Sequence, residues 1–228
     1  MPNALRCCLL IPLLAALAHA EEPAERSLFD GKGLSGWVVE GQKTYRDGDE
    51  EKPVWEARDG MISCVTDKGG YGFLRYEKQK FSDFRLSLEY RFAKPENSKR
   101  RGNSGVGIRT VPFDPKKSDK TRPSYAAYEV QLLDDADRPA SKGSTASLYR
   151  YVAPSEQVAK AAPEWNKLEI QCVGPKIEIT LNGKKVIDVD QSMIEEIKDK
   201  PLEGYVCLQN HGSRVDFRNV KVREIRKK

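Results

Sequence analysis

The chain has 228 residues and a formal net charge of +5. Setting Arg6 aside with an N-terminal leader leaves 38 basic against 34 acidic side chains, or +4. So mild a surplus argues against a nucleic-acid partner: the runs Lys99-Arg100-Arg101 and Lys116-Lys117 sit among Pro, Asp, Ser and Asn without interleaved aromatics, as solvated loops do. The five cysteines include no C-x-x-C pair, which argues against a thiolate zinc or iron–sulfur centre.

Arg6 precedes an apolar run over 7–17 that closes in Ala18-His19-Ala20, the pattern of a secretory signal. Its apolar core is too short to span a bilayer, and no other segment qualifies as a membrane span. Cys7 and Cys8 stand at the front of the apolar run, which argues against a lipid-anchoring cysteine. Residues 1–20 are therefore expected to be a signal peptide and 21–228 a single domain, periplasmic or secreted. Cys64, Cys172 and Cys207 then form an odd set, compatible with one disulfide or with buried free thiols.

Residues 27–37 alternate turn residues with large apolar ones, predicting an edge strand that tucks Trp37 inside. A charged loop follows, whose Asp47-Gly48-Asp49 lacks the further spaced oxygens of a calcium loop. Asp59-Gly60 between apolar runs predicts a hairpin of 55–57 with 61–64. Phe84, Leu86, Leu88, Tyr90 and Phe92 alternate strictly, predicting a strand with one buried face.

In 103–109, Val106 and Ile108 fall on one face and Asn103, Gly105, Gly107 and Arg109 on the other. Glycine in a strand interior marks either a bend or a place where a ligand comes close, so this second face reads as a bare floor bracketed by an amide and a guanidinium. In 128–133 the same alternation turns Val130 and Leu132 inward and leaves Glu129 and Gln131 together on the open face. Asp134, at the start of a turn cluster, is placed to lean back over that groove. The plainer reading is an antiparallel strand with one wet face.

Leu148-Tyr149-Arg150-Tyr151 is expected to put two tyrosines on one strand face, suited to stacking on a sugar ring or to ordinary packing. Strands over 168–172, 177–181 and 184–189 follow, the last two joined by Asn182-Gly183. The one helix expected covers 191–199. A strand over 204–209 leads to Asn210-His211-Gly212, and the final strand, 215–225, changes phase at a bulge at Arg218-Asn219. Many short strands with little helix predict an all-β, two-sheet antiparallel sandwich.

His211 is the only histidine outside the leader, so chemistry near neutral pH must use it or a carboxylate raised by burial. No Gly-x-Ser-x-Gly elbow supports a serine triad.

The ordered set Trp55, Phe81-Ser82-Asp83-Phe84, Asn103-Ser104-Gly105, Ile108-Arg109, Tyr128-Glu129-Val130-Gln131 with Asp134, Leu148-Tyr149, Trp165-Asn166, Leu181-Asn182-Gly183, Leu208-Gln209-Asn210-His211-Gly212 and Phe217-Arg218-Asn219-Val220 resembles the 3-keto-disaccharide hydrolase domain family, also described as 3-keto-glucoside 1,2-lyases and 3-keto-2-hydroxy-glucal hydratases. The resemblance runs over about 27–225. It implies a concanavalin-like jelly-roll sandwich, export, a bacterial setting, and oxidised (3-keto) mono- or disaccharide glycosides as substrates. Asn210 departs from relatives that carry aspartate before the histidine, implying a less basic His211 if that acid orients the imidazole.

A ketone at C3 acidifies the hydrogen on C2, so such a site needs a base, donors for the enolate oxygen, and an acid for the leaving oxygen. The resemblance implies His211 or Glu129 as base, Arg109 helped by Gln131 at the enolate, Tyr149 for stacking and Asp134 as acid, with Asn103 and Gln209 also binding substrate. No metal or other cofactor is indicated, although a divalent ion in place of Arg109 stays open. Two other readings stand beside it. One is a retaining β-glucanase-like glycosidase built on Glu129, Gln131 and Asp134. The other is a non-catalytic glycan-binding module.

Overall fold

A computed structural model describes residues 23–68, 70–94 and 101–226. The leader expected at 1–20 and the basic residues Lys99 and Arg100 lie outside the described residues. Among the described residues, no helix is long and apolar enough to cross a membrane.

The chain runs through β1 (Arg26–Ser27), β2 (Trp37–Gly41), β3 (Thr44–Asp47), β4 (Glu50–Pro53), β5 (Trp55–Arg58), β6 (Met61–Cys64), β7 (Gly72–Tyr76), β8 (Phe84–Phe92) and β9 (Asn103–Thr110). Short helical turns α1 (Ser118–Thr121) and α2 (Pro123–Ala126) precede β10 (Tyr128–Leu133), β11 (Asn166–Val173), β12 (Lys176–Leu181), β13 (Lys184–Asp190), β14 (Tyr205–Asn210) and β15 (Val215–Glu224). Two antiparallel sheets form the sandwich. One is ordered β13-β12-β11-β8-β15-β6-β5, with β1 alongside β15; the other is β10-β9-β14-β7-β2. The charged loop closes into a separate hairpin, β3-β4, in which Asp47 is held by Lys52 and Lys68 at 2.8 and 2.7 Å.

Alternation sets the layers. β8 buries Phe84, Leu86, Leu88, Tyr90 and Phe92 and leaves the residues between them half-buried. From the opposite sheet Val106, Ile108, Tyr128, Val130, Leu132 and Leu208 complete the same core. Trp37 is buried, and its Nε1 donates to the Leu28 carbonyl at 2.8 Å. The tight turns predicted at Asp59-Gly60 and Asn182-Gly183 have both residues at positive φ. The last strand shifts register between Arg218 and Lys221, with Asn219 at φ 52°. Cys64, Cys172 and Cys207 are all buried free thiols.

Three local expectations are corrected. The edge strand expected over 27–37 is irregular between β1 and β2. The helix expected over 191–199 is only a 3-10 turn, Gln191–Met193. The buried Gln191 amide donates to the carbonyls of Ile197, Lys198 and Lys200, which a helix ending at Asp199 would have left without an intrahelical partner. The strand expected at 148–151 is a turn, with Tyr151 and Val152 donating back to the Leu148 carbonyl and Arg150 at φ 77°. Helical turns form instead at 115–126, where Pro123 restricts Arg122 to an extended conformation and then opens α2.

Candidate active site

The outer face of the five-stranded sheet gathers Glu129 and Gln131 from β10 and Gln209 from β14. Between these strands lies β9, whose Gly107 pairs with Glu129 and whose Gly105 pairs with Gln131. Two strand spacings separate β10 from β14, roughly 10 Å, yet Gln209 Nε2 donates to Glu129 Oε1 at 2.9 Å. The crossing runs over Gly105: a Cβ there would stand 3.0 Å from Glu129 Cγ and 3.1 Å from Oε1. At Gly107 a Cβ would meet Cys207 Sγ at 2.4 Å and Pro123 Cβ at 3.2 Å. The glycine floor is therefore not bare. Glu129 itself lies on it at one end, and Cys207 and the α2 segment close it at the other.

Glu129 is 5% exposed, and burial pushes its carboxyl up to about 7 against the Gln209 amide, the Arg122 charge and the Ser124 hydroxyl, which favour ionisation. Above it lies Tyr71, whose hydroxyl receives a second N–H from Gln209 at 3.4 Å. Burial, and then the Glu129 charge, hold the Tyr71 phenol well above its ordinary range, so it stays protonated. The Arg122 guanidinium stacks 4.6 Å over the Tyr71 ring, and the exposed His211 ring meets Tyr71 edge-on at 5.4 Å. Arg122 Nη2 donates to Ser118 Oγ, but its Nε is buried without a partner, as is Gln209 Oε1. One free donor and one free acceptor thus belong to side chains around a carboxylate. Alongside, Gln131 Nε2 donates to Asn103 Oδ1 at 3.0 Å, and Ser213 Oγ receives the Asn103 N–H.

Glu129, Gln131, Asn103, Gln209 and His211 are thus assembled around this sheet end. Three other expected site residues are not. Arg109 has φ 55°, and the register against β14 shifts there, which reverses the pleat. Its guanidinium is fully buried, donates twice to the Ser82 carbonyl and lies 3.8 Å from Asp83. Asp134 does not lean over the groove, because its Oδ1 accepts the Ala162 N–H at 3.0 Å. Tyr149, in a turn, belongs to the segment that covers the outer edge of β10, its N–H donating to the Glu129 carbonyl.

Asn210 also differs from expectation: it is fully buried and accepts the Gly212 N–H at 2.9 Å, so it fixes the backbone of the turn and not the His211 ring. The residues missed were Tyr71, Arg122 and Ser124. A faint signal existed for Tyr71, a lone aromatic in Gly69-Gly70-Tyr71-Gly72.

The glucanase-like pairing is not formed. A retaining glycosidase needs a second carboxyl about 5 Å from the first; Asp134 is tied to Ala162, and Glu40, on the same face, pairs with Arg75 four strands away on β2. Among the described residues no group of three His, Cys, Asp or Glu side chains is set to hold a metal ion.

Comparison with known proteins bears on the fold and the family. A 3-keto-disaccharide hydrolase of Bacteroides thetaiotaomicron is 28% identical, the match covering 86% of this chain and 77% of that protein. A candidate glycosyl hydrolase from Parabacteroides distasonis superposes with a TM-score of 0.66 at 26% identity, over 89% of this chain and 100% of that one. A galectin-like protein from Bacillus subtilis shares the fold alone, with a TM-score of 0.51 at 13% identity over 85% and 92% of the two chains. The family model of the 3-keto-alpha-glucoside-1,2-lyase-like domain matches residues 24–223, and the chain belongs to that family of carbohydrate-active proteins.

Proposed function

We propose that the protein is an exported enzyme that cleaves 3-keto-glucosides by elimination and hydration, with Glu129 as the base. The observation that carries this reading is the Glu129 carboxyl, desolvated to about 7 and oriented by Gln209. A base of that strength suits removal of a hydrogen next to a ketone near neutral pH.

Glu129 takes the proton from C2, and the electron pair moves toward the C3 oxygen, where the Arg122 charge beside Glu129 stabilises the enolate. Collapse of the enolate forms the C1–C2 double bond and breaks the bond from C1 to the aglycone oxygen. Tyr71, held protonated beside Glu129, gives that oxygen its proton, and the exposed His211 packs edge-on against its ring and holds it in place. Water then adds its oxygen to C1 and gives one proton to the Tyr71 oxygen, while C2 recovers a proton from Glu129, giving the free 3-keto sugar. Gln131 and Asn103 hold hydroxyls beside the reacting carbons. Export rests on the signal pattern of residues 1–20.

The test is solvent-deuterium exchange at C2 of a 3-keto-glucoside, followed together with ultraviolet absorbance of the enone. Glu129→Gln should lower both by about 10²–10⁴. Full exchange by that variant would remove Glu129 from the base role.

A further inference from the structure

A cleft opens on the far side of α2 from Glu129, between that turn and 195–201. It has a volume of about 350 Å³, at the small end of ligand clefts and enough for one sugar ring. Tyr125 and Tyr151 line its walls, and Glu196 and Asp199, both exposed, stand at its rim. Tyr151 is fixed by its hydroxyl, which donates to the Ser124 carbonyl at 2.9 Å. Tyr125 is 44% exposed, with the Arg150 guanidinium 4.4 Å over its ring.

Lys200 supplies the polar contact. Its Nζ donates to the Tyr125 carbonyl and lies 4.9 Å over the Tyr151 ring, and it joins no ion pair among the described residues. An ammonium has three N–H donors, so two are left for a ligand. Burial, with Arg150 adding to it, lowers this amine to about 8.

The charges select the ligand class. Glu195, Glu196 and Asp199 repel a phosphate or carboxylate, while Lys200 and Arg150 repel an amine. What fits is a neutral, polyhydroxylated ring with an apolar face for a tyrosine and hydroxyls for the ammonium and rim carboxylates. Arg122 stands between the cleft and the candidate active site, stacked on Tyr71 at 4.6 Å and on Tyr125 at 5.7 Å.

We infer that this cleft is a glycosyl-binding site apart from the candidate active site, which takes one unoxidised sugar ring of a glycan. The inference goes beyond the proposed function and does not depend on it.

The test titrates the isotope-labelled full chain with an unoxidised glucose disaccharide and maps the amide shifts by NMR. Shifts should cluster at Tyr125, Ala126, Tyr151, Glu196 and Lys200. Both Tyr125→Ala and Lys200→Met should weaken binding at least about tenfold, with the remaining spectrum unchanged. If Lys200→Met disturbs the fold, the half-exposed Tyr125 carries the comparison alone. Shifts confined to the Tyr71 face, no binding at millimolar sugar, or undiminished binding by Tyr125→Ala would overturn the inference. Because the probe cannot eliminate, failure here leaves enone formation by the wild type standing, and absence of enone formation leaves the binding map standing.

Discussion

Glu129 meets Gln209 at 2.9 Å across a strand to which neither belongs. That contact depends on Gly105, which leaves the pleat of β9 low enough for the carboxylate to lie over it. The φ of Gly105 is not positive, so an alanine there is not opposed by the backbone. Its Cβ would nevertheless stand 3.0 Å from Glu129 Cγ and push the carboxylate off Gln209. Gly105→Ala should therefore lower kcat about 10- to 100-fold at a stability cost of about 1–3 kcal/mol. Turnover of a 3-keto-glucoside and a urea melt check the two together; unchanged kcat would make the glycine a matter of packing alone.

Burial of Glu129 has a thermodynamic consequence with a definite sign. The folded carboxyl titrates at about 7, above its ordinary 4.5, so folding favours the protonated form. Its contribution to stability is fully present below pH 4.5 and is lost as pH rises through 7. At pH 8 the wild type should be weaker by roughly 3 kcal/mol than a neutral isostere. Glu129→Gln should match the wild type in urea melts at pH 4 and exceed it increasingly up to pH 8, while wild-type kcat/KM rises with pH around a midpoint near 7. A variant no more stable at pH 8 than at pH 4, relative to wild type, would show that Glu129 is not desolvated.

The sandwich was legible because alternation and tight turns are local signals: 84–92 and Asn182-Gly183 each specify their conformation within a few residues. Glu129, Gln131 and Gln209 were legible because a polar residue opposite core positions in an alternating strand must face outward, and His211 because it is the only histidine outside the leader. Arg109 was not. A single positive φ reversed its pleat, and no periodicity announces such a bulge. Tyr71 and Arg122 were hidden for another reason: both lie on connections, and the residues they meet are distant in sequence.

The two arginines should separate cleanly on substitution. Arg109→Met removes a fully buried cation from the Ser82 carbonyl and Asp83, leaving that acid uncompensated, and should cost about 3–5 kcal/mol of stability. Arg122→Met keeps contact with the Tyr71 ring but loses the charge beside Glu129, and should lower kcat about 10²-fold with little change in melting temperature. Thermal melts beside steady-state kinetics decide it; the opposite pattern would return the enolate role to Arg109.

Tyr71 offers the sharpest separation of steps, because a proton donor to the leaving oxygen matters in proportion to the basicity of that oxygen. With a nitrophenyl aglycone, departure needs little help; with a sugar or methyl aglycone it needs a proton. Tyr71→Phe keeps the stacking on Arg122 and the edge-on contact with His211 and removes only the hydroxyl that Gln209 now reaches. The variant should lose about 10²-fold in kcat on alkyl or glycosyl aglycones and less than about threefold on nitrophenyl ones, while C2 deuterium exchange persists because Glu129 is intact. His211→Gln should show the same dependence on leaving group in weaker form, since the imidazole touches the ring and not the hydroxyl. Equal losses across all aglycones would place Tyr71 in binding, and loss of C2 exchange in Tyr71→Phe would place it beside Glu129 in the first proton transfer.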